Sequence, residues 1–75
     1  MDHPIHEVAD FGVLIRNRRK VQGYTQARLA ALCGTGVRFI SDLENGKETV
    51  EFGKAFVVAQ NLGIDLVARV RGGEE

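Results

Sequence analysis

Arg38 and Asp42 stand four residues apart, so on a helix a planar fork of N–H donors would lie one turn from a carboxylate. That pair has two uses. The guanidinium can donate twice to guanine O6 and N7, a contact worth about 1–3 kcal/mol of discrimination, and the carboxylate can accept from cytosine N4. Alternatively the two side chains close on each other as a surface ion pair worth only about 0.2–0.5 kcal/mol. Val37, just before them, offers the apolar contact that a thymine methyl takes, and Asp42 can also repel phosphates. The surrounding charge is uneven although the chain is formally neutral, with ten basic and ten acidic residues. Residues 11–42 hold Arg16, Arg18, Arg19, Lys20, Arg28 and Arg38 against Asp42 alone, whereas Asp2, Glu7 and Asp10 lie in the first ten. Such a block attracts a polyanion within about a Debye length, roughly 8–10 Å, whatever the net charge. Its other reading is a solvated helix face.

Other site chemistries find less support. His3, His6 and Glu7 in "HPIHE" lie in an untethered acidic end, so no metal site is expected there. Cys33, the one cysteine, can build neither an internal disulfide nor a cysteine-rich zinc site and reads as a small hydrophobe on a helix. Ser41 has no partnered histidine, and the glycines form no phosphate-cradling loop between a strand and a helix. Neither enzyme activity nor a cofactor is expected. No apolar run reaches the roughly 18 residues of a membrane span, and "MDHPIHEVAD" lacks the basic-then-apolar order of a signal peptide, which points to the cytoplasm.

The elements that must position these residues are set off by turn and cap signals. At 75 residues, 44% hydrophobic and 27% charged, residues 1–75 read as one globular domain. A chain this small buries only about 60–65% of its unfolded surface. "VADFGVLIRNRRKVQ" places Val8, Phe11, Leu14, Ile15 and Val21 at three-and-four spacing, an amphipathic helix that Gly23 ends. Thr25 is a natural N-cap for "QARLAALC", although Arg28 occupies the position where a capping box has an acid or amide. Gly34, Thr35 and Gly36 make a tight turn into "VRFISDLEN", with Ile40 and Leu43 in register and Gly46 closing it. Thr49 is expected to cap a fourth helix, "VEFGKAFVVAQNL", with Phe52, Ala55, Phe56, Ala59 and Leu62 as its stripe and Gly63 as its stop.

"IDLVARVR" changes period. Leu66, Ala68 and Val70 alternate with Val67, Arg69 and Arg71, so a strand is expected over 64–71, followed by a tail at 72–75. No second strand-like segment exists in the chain to pair with it. The plainest partner is the same strand of another copy, in a two-stranded antiparallel ribbon across a twofold axis. A homodimer is therefore expected, joined through Leu66, Val67, Ala68 and Val70, with Val57 or Val58 helping to bury the seam. An extra turn of helix and a frayed tail are the alternatives for this segment.

Two short helices joined by a glycine-containing turn form the helix-turn-helix arrangement, whose second helix enters the major groove. The stretch "IRNRRKVQGYTQARLAALCGTGVRFISDLENGK" resembles the lambdoid phage repressor and Cro superfamily, the XRE-type helix-turn-helix, over about residues 11–63. Its most telling matches are Gly23, Thr25-Gln26, Leu29-Ala30, Ile40-Ser41 and Leu43-Glu44-Asn45-Gly46. The resemblance implies a mainly α fold, a four- to five-helix lambda-repressor-like domain with residues 11–63 as the helical core, to which the C-terminal β-strand adds an intersubunit ribbon. It also implies that Val37, Arg38 and Asp42 face base edges. By the same resemblance Gln26 holds a phosphate and braces the recognition helix, Asn45 and Lys47 meet the DNA backbone, and Arg19 and Glu44 pair internally between the first and third helices. Arg16, Lys20, Arg28 and Lys47 are phosphate-contact candidates on charge, with plain solvated positions as the alternative. The departures are Gly36, where a Ser or Thr usually caps the recognition helix, Phe39, where a smaller residue is common and core packing is expected, and Arg18, at a position often apolar.

A four-helix domain followed by "LGIDLVARVR" is similar to the HipB-type antitoxins of bacterial toxin-antitoxin operons. That likeness implies a sequence-specific repressor that binds an inverted-repeat operator in double-stranded DNA, autoregulates its operon and binds a toxin kinase of the HipA type. The alternatives are a stand-alone XRE-family regulator or restriction-modification controller and, from another class, a protein-interaction module that does not read DNA.

Overall fold

The computed structural model describes residues 2–72, in which the chain folds as four helices: α1 (Val8–Val21), α2 (Gln26–Cys33), α3 (Val37–Glu44) and α4 (Phe52–Asn61). Each start has a local cause. The Asp10 carboxylate reaches back to accept from the backbone N–H of His6 at 2.9 Å and of Glu7 at 3.3 Å, which fixes the entry to α1. Part of the "HPIHE" segment is thus used in shaping a helix end. Thr25 caps α2 by accepting from the Arg28 N–H at 3.0 Å, with no capping-box partner required. Gly34 then turns left-handed at φ +70°, a conformation that costs glycine little, and the chain enters α3 at Gly36 without any capping side chain.

The fourth helix begins later than its sequence suggests. Thr49 is not its cap: α4 starts at Phe52 with Glu51 in the cap position and no side-chain cap bond. Residues 47–50 instead make a turn, closed by the Val50 N–H to the Lys47 carbonyl at 3.3 Å, that brings Val50 against the core. Burying Val50 outweighs the cap that Thr49 could supply.

Ile15, Leu29, Ala30, Ile40, Leu43, Ala55, Val58, Ala59 and Leu62 form the core, with Phe11, Tyr24, Cys33, Phe39, Val50 and Ile64 packed around it. All four helices contribute. The alanines on α4 allow its backbone close to α2. This arrangement corrects three expectations. Val58 lies fully inside the protomer and is unavailable to any seam, whereas Val57 remains exposed. Phe52 and Phe56, expected in the buried stripe, are 70% and 38% exposed because the first turn of α4 overhangs the core edge. Val21 is 76% exposed in the last turn of α1.

Beyond α4, the Ile64 N–H caps the helix through the Ala59 carbonyl at 2.9 Å. Residues 64–70 carry no regular secondary structure, and no strand occurs among the described residues. Beyond Ile64 the alternating segment makes no ladder with another segment among the described residues. Of the expected tail, residues 73–75 lie outside the described region. No helix among the described residues is long and apolar enough to cross a membrane.

Helices α1 and α3 lie backbone to backbone at Gly12. A Cβ there would stand 2.5 Å from the Leu43 carbonyl oxygen and 2.7 Å from that of Glu44, both backbone atoms unable to move aside without α3 moving. Gly12→Ala therefore trades a gain in helix propensity of about 1 kcal/mol for overpacking that outweighs it. A net loss of about 1–3 kcal/mol is expected in denaturant unfolding; an unchanged or raised midpoint would show that the two helices do not pack this closely.

Candidate nucleic-acid interface

Glu44, on the last turn of α3, is the polar centre around which α1, α2 and α3 are held. Its side chain is inaccessible to solvent, and Arg19 is nearly so. Arg19 donates from Nε to Glu44 Oε2 at 2.6 Å and from a terminal nitrogen to Oε1 at 3.0 Å, the two-pronged geometry in which a guanidinium binds a carboxylate best. Its remaining nitrogen donates to the Tyr24 carbonyl at 2.9 Å. Oε1 also accepts from Gln26 Nε2 at 3.1 Å and, more weakly, from Arg16 Nε at 3.4 Å. No buried side-chain polar atom is left without a partner among the described residues.

Burial pushes the Glu44 carboxyl up, but the hydrogen bonds from Arg19, Gln26 and Arg16 and the Arg19 charge outweigh it, so the group titrates below the usual glutamate range. The bond to Glu44 raises Arg19, against the opposing effect of burial. Both charges are therefore retained at neutral pH.

Anchored at that end, α3 turns its other face outward. Ile40, Leu43 and Glu44 are buried, whereas Val37 and the Arg38 side chain are 46% and 89% exposed and Asp42 is partly exposed. Arg38 Nε lies 4.0 Å from Asp42 Oδ2, and Lys47 Nζ lies 3.5 Å from the same oxygen. These surface pairs are screened by water and contribute about 0–1 kcal/mol each, so they hold neither cation against a competing acceptor. Asn45 is more firmly set: its Oδ1 accepts from Arg16 at 3.1 Å and its Nδ2 donates to Ser41 Oγ at 3.4 Å.

The structure thus gathers Val37, Arg38, Asp42, Asn45 and Lys47 on or beside one face, with Gln26 and Arg16 along its edge. Lys20 and Arg28 are exposed on α1 and α2. Two features escaped sequence reasoning. Gln26 and Arg16 serve the internal carboxylate in the free chain, and the three-residue spacing of Arg16 and Arg19 was the available signal. Lys54 of α4 rests over the Phe39 ring, 5.8 Å from its centroid.

A sequence profile of the helix-turn-helix family matches residues 15–68. The chain belongs to the helix-turn-helix family. Over 62 residues, 80% of this chain and 82% of the relative, it is 50% identical to an uncharacterized HTH-type transcriptional regulator, y4mF, of Sinorhizobium fredii (strain NBRC 101917 / NGR234). This helix-turn-helix protein is accordingly a transcriptional regulator of the XRE type. Its fold is similar to that of HipB in a complex of a HipB variant with an O2 20mer, with a TM-score of 0.85 at 22% identity over 95% of this chain and 99% of that one. A HipA-HipB-O2-O3 complex contains a chain matching with a TM-score of 0.84 at 21% identity, over 93% of this chain and 99% of that one.

The lowered Glu44 pKa links stability to acid. A carboxyl depressed in the folded state contributes stability that is complete above its unfolded pKa and is lost as pH falls through its folded pKa. Melting temperature should therefore fall as pH drops below the ordinary glutamate value of 4.5. Glu44→Gln should cost about 3 kcal/mol at neutral pH, by stranding Arg19, and flatten that acid limb; an acid limb as steep as the parent's would assign it to other carboxylates.

Proposed function

We propose that this regulator is a dimeric, operator-binding antitoxin that represses its own operon and restrains a toxin kinase of the HipA type. The observation that carries the reading is the likeness of nearly the whole chain, at a TM-score of 0.85 over 95% of it, to HipB bound to a 20mer. The HipA-HipB-O2-O3 complex supports the kinase partner in the same way. The exposed face of α3 supplies the chemistry. Arg38 reads a guanine, Val37 packs on a thymine methyl and Asp42 accepts from a cytosine or repels phosphate. Gln26, Arg28, Asn45, Lys47, Arg16 and Lys20 hold the backbone on either side, Arg16 by sharing its donors with Glu44 and Asn45.

Dimerisation sets where two such faces meet the duplex. Phe52, Phe56, Leu66 and Val67 are exposed around an apolar groove that Ile5, Val8 and Phe11 also line. A surface of that kind is normally covered by another chain. Pairing the 64–71 segments of two copies satisfies their backbone groups and covers this groove, and Leu66, Val67, Ala68 and Val70 then lie in the seam. Half-sites about 34–36 Å apart, or a multiple of that, follow from placing the two α3 helices on one side of the DNA.

Titration with the DNA upstream of its own gene tests the reading: an inverted-repeat footprint is expected, and affinity no greater than for scrambled duplex would refute DNA reading. Arg38→Ala should relax discrimination at one position per half-site by about 1–3 kcal/mol, whereas Arg28→Ala should weaken all sequences alike and flatten the salt dependence. Equal losses for Arg38→Ala on specific and random DNA would remove it from the readers. In sedimentation at micromolar concentration the parent should run as a dimer and Val67→Asp as a monomer; a monomeric parent would contradict the pairing. A kinase-like product encoded beside the gene should co-elute with the protein. Separate elution would leave a stand-alone regulator.

A further inference from the structure

We infer that Lys54, at the start of α4, is a phosphate contact on the groove wall opposite Gln26, held there by stacking over Phe39. The inference rests on the DNA-binding reading above and extends it to a residue outside the helix-turn-helix itself.

At 3.6 residues per turn, Val37, Arg38, Ser41, Asp42 and Asn45 share one face of α3, and Phe39 lies about 130° round from the middle of it. Glu44, with Gln26 and Arg16 bonded to it, marks the other flank. A helix with its side chains is about 10–12 Å across and the major groove is about 12 Å wide, so both flanks of an inserted helix run close to the sugar-phosphate walls. Gln26 and Arg16 supply donors to one wall. On the other side α3 carries Arg38, assigned above to a base, and Asp42 with Lys47 beside it, and beyond them Phe39, which is partly buried against the core. Lys54 adds a cation beyond them at the Phe39 flank: it is exposed, it comes from a different helix, and its ammonium lies 5.8 Å from the Phe39 ring centroid. An aromatic face attracts a cation while leaving its N–H donors directed outward, because the ring takes up only one side of the ammonium. Phe39 therefore orients Lys54 without consuming its hydrogen-bonding capacity, which gives a purpose to a bulky aromatic at a position where smaller residues are common.

The test is the salt dependence of binding to the upstream DNA and to a scrambled duplex. Each phosphate that is no longer neutralised reduces the slope of log affinity against log salt by about 0.9, so Lys54→Gln in a dimer should reduce it by about 1.8. At 0.1 M salt this corresponds to a weakening of about eightfold per half-site, equal on both duplexes. Lys54→Arg, which keeps charge and stacking, should restore the slope. Phe39→Leu should weaken binding by about threefold in the parent and not at all in Lys54→Gln, since the stack acts only through the lysine. An unchanged slope for Lys54→Gln in a protein that still footprints its operator would overturn the inference and leave the DNA-binding reading standing. A Phe39→Leu effect that persists in the Lys54→Gln background would overturn the role of the stack. Absence of any footprint from the parent would instead refute the reading on which the inference depends.

Discussion

A single buried carboxylate decides how this protein presents its surface. Glu44 ends α3, and its two oxygens take donors from Arg16 and Arg19, about one turn apart on α1, and from Gln26 at the start of α2. Removing two charges from water offsets most of the attraction between them, so the pair adds little net stability beyond what apolar side chains of the same size would supply. What it adds is direction. Hydrogen bonds at 2.6–3.1 Å from Arg19 and Gln26 tolerate little sliding, whereas a purely apolar contact between α1 and α3 could shift along the helix axis. Gly12 completes the arrangement by allowing α3 carbonyls to lie directly on the α1 backbone.

From that anchor follows a division between fixed and free side chains. Arg19, Gln26 and Glu44 are tied into the interior and Asn45 is steadied by Arg16 and Ser41, so the frame of α3 is rigid. Arg38 and Lys47 hold Asp42 only through weak exposed pairs that a nucleic acid can replace. The helix is thereby held in a defined register while its exposed groups can exchange one partner for another.

Those features of the fold with local causes were legible in the sequence. Thr25 and Gly34 bracket α2, and its observed limits, Gln26–Cys33, coincide with the expected helix. The outward placement of Val37, Arg38 and Asp42 was also readable, since the spacing of Ile40 and Leu43 sets the buried face of a strongly two-sided helix. Features that depend on packing were not. The start of α4 was misplaced because burial of Val50 overrides the Thr49 cap, and Val58 belongs to the core because α4 presents a face rotated from the expected stripe. Gly12 looks like a mild defect in a helix until the α3 carbonyls are placed over it. The pairing of Arg19 with Glu44 spans 25 residues and entered only through family resemblance. The C-terminal segment differs again: its alternating pattern needs a second chain before its backbone can form a ladder.

Arg19 and Glu44 act as one unit in locating α3. A double-mutant cycle in denaturant unfolding, with Arg19→Met, Glu44→Leu and the two combined, measures that coupling directly. The combined variant is expected to be more stable than either single one, with a coupling of about 1–3 kcal/mol, because removing both charges strands neither. Losses that simply add would contradict a shared role for the pair.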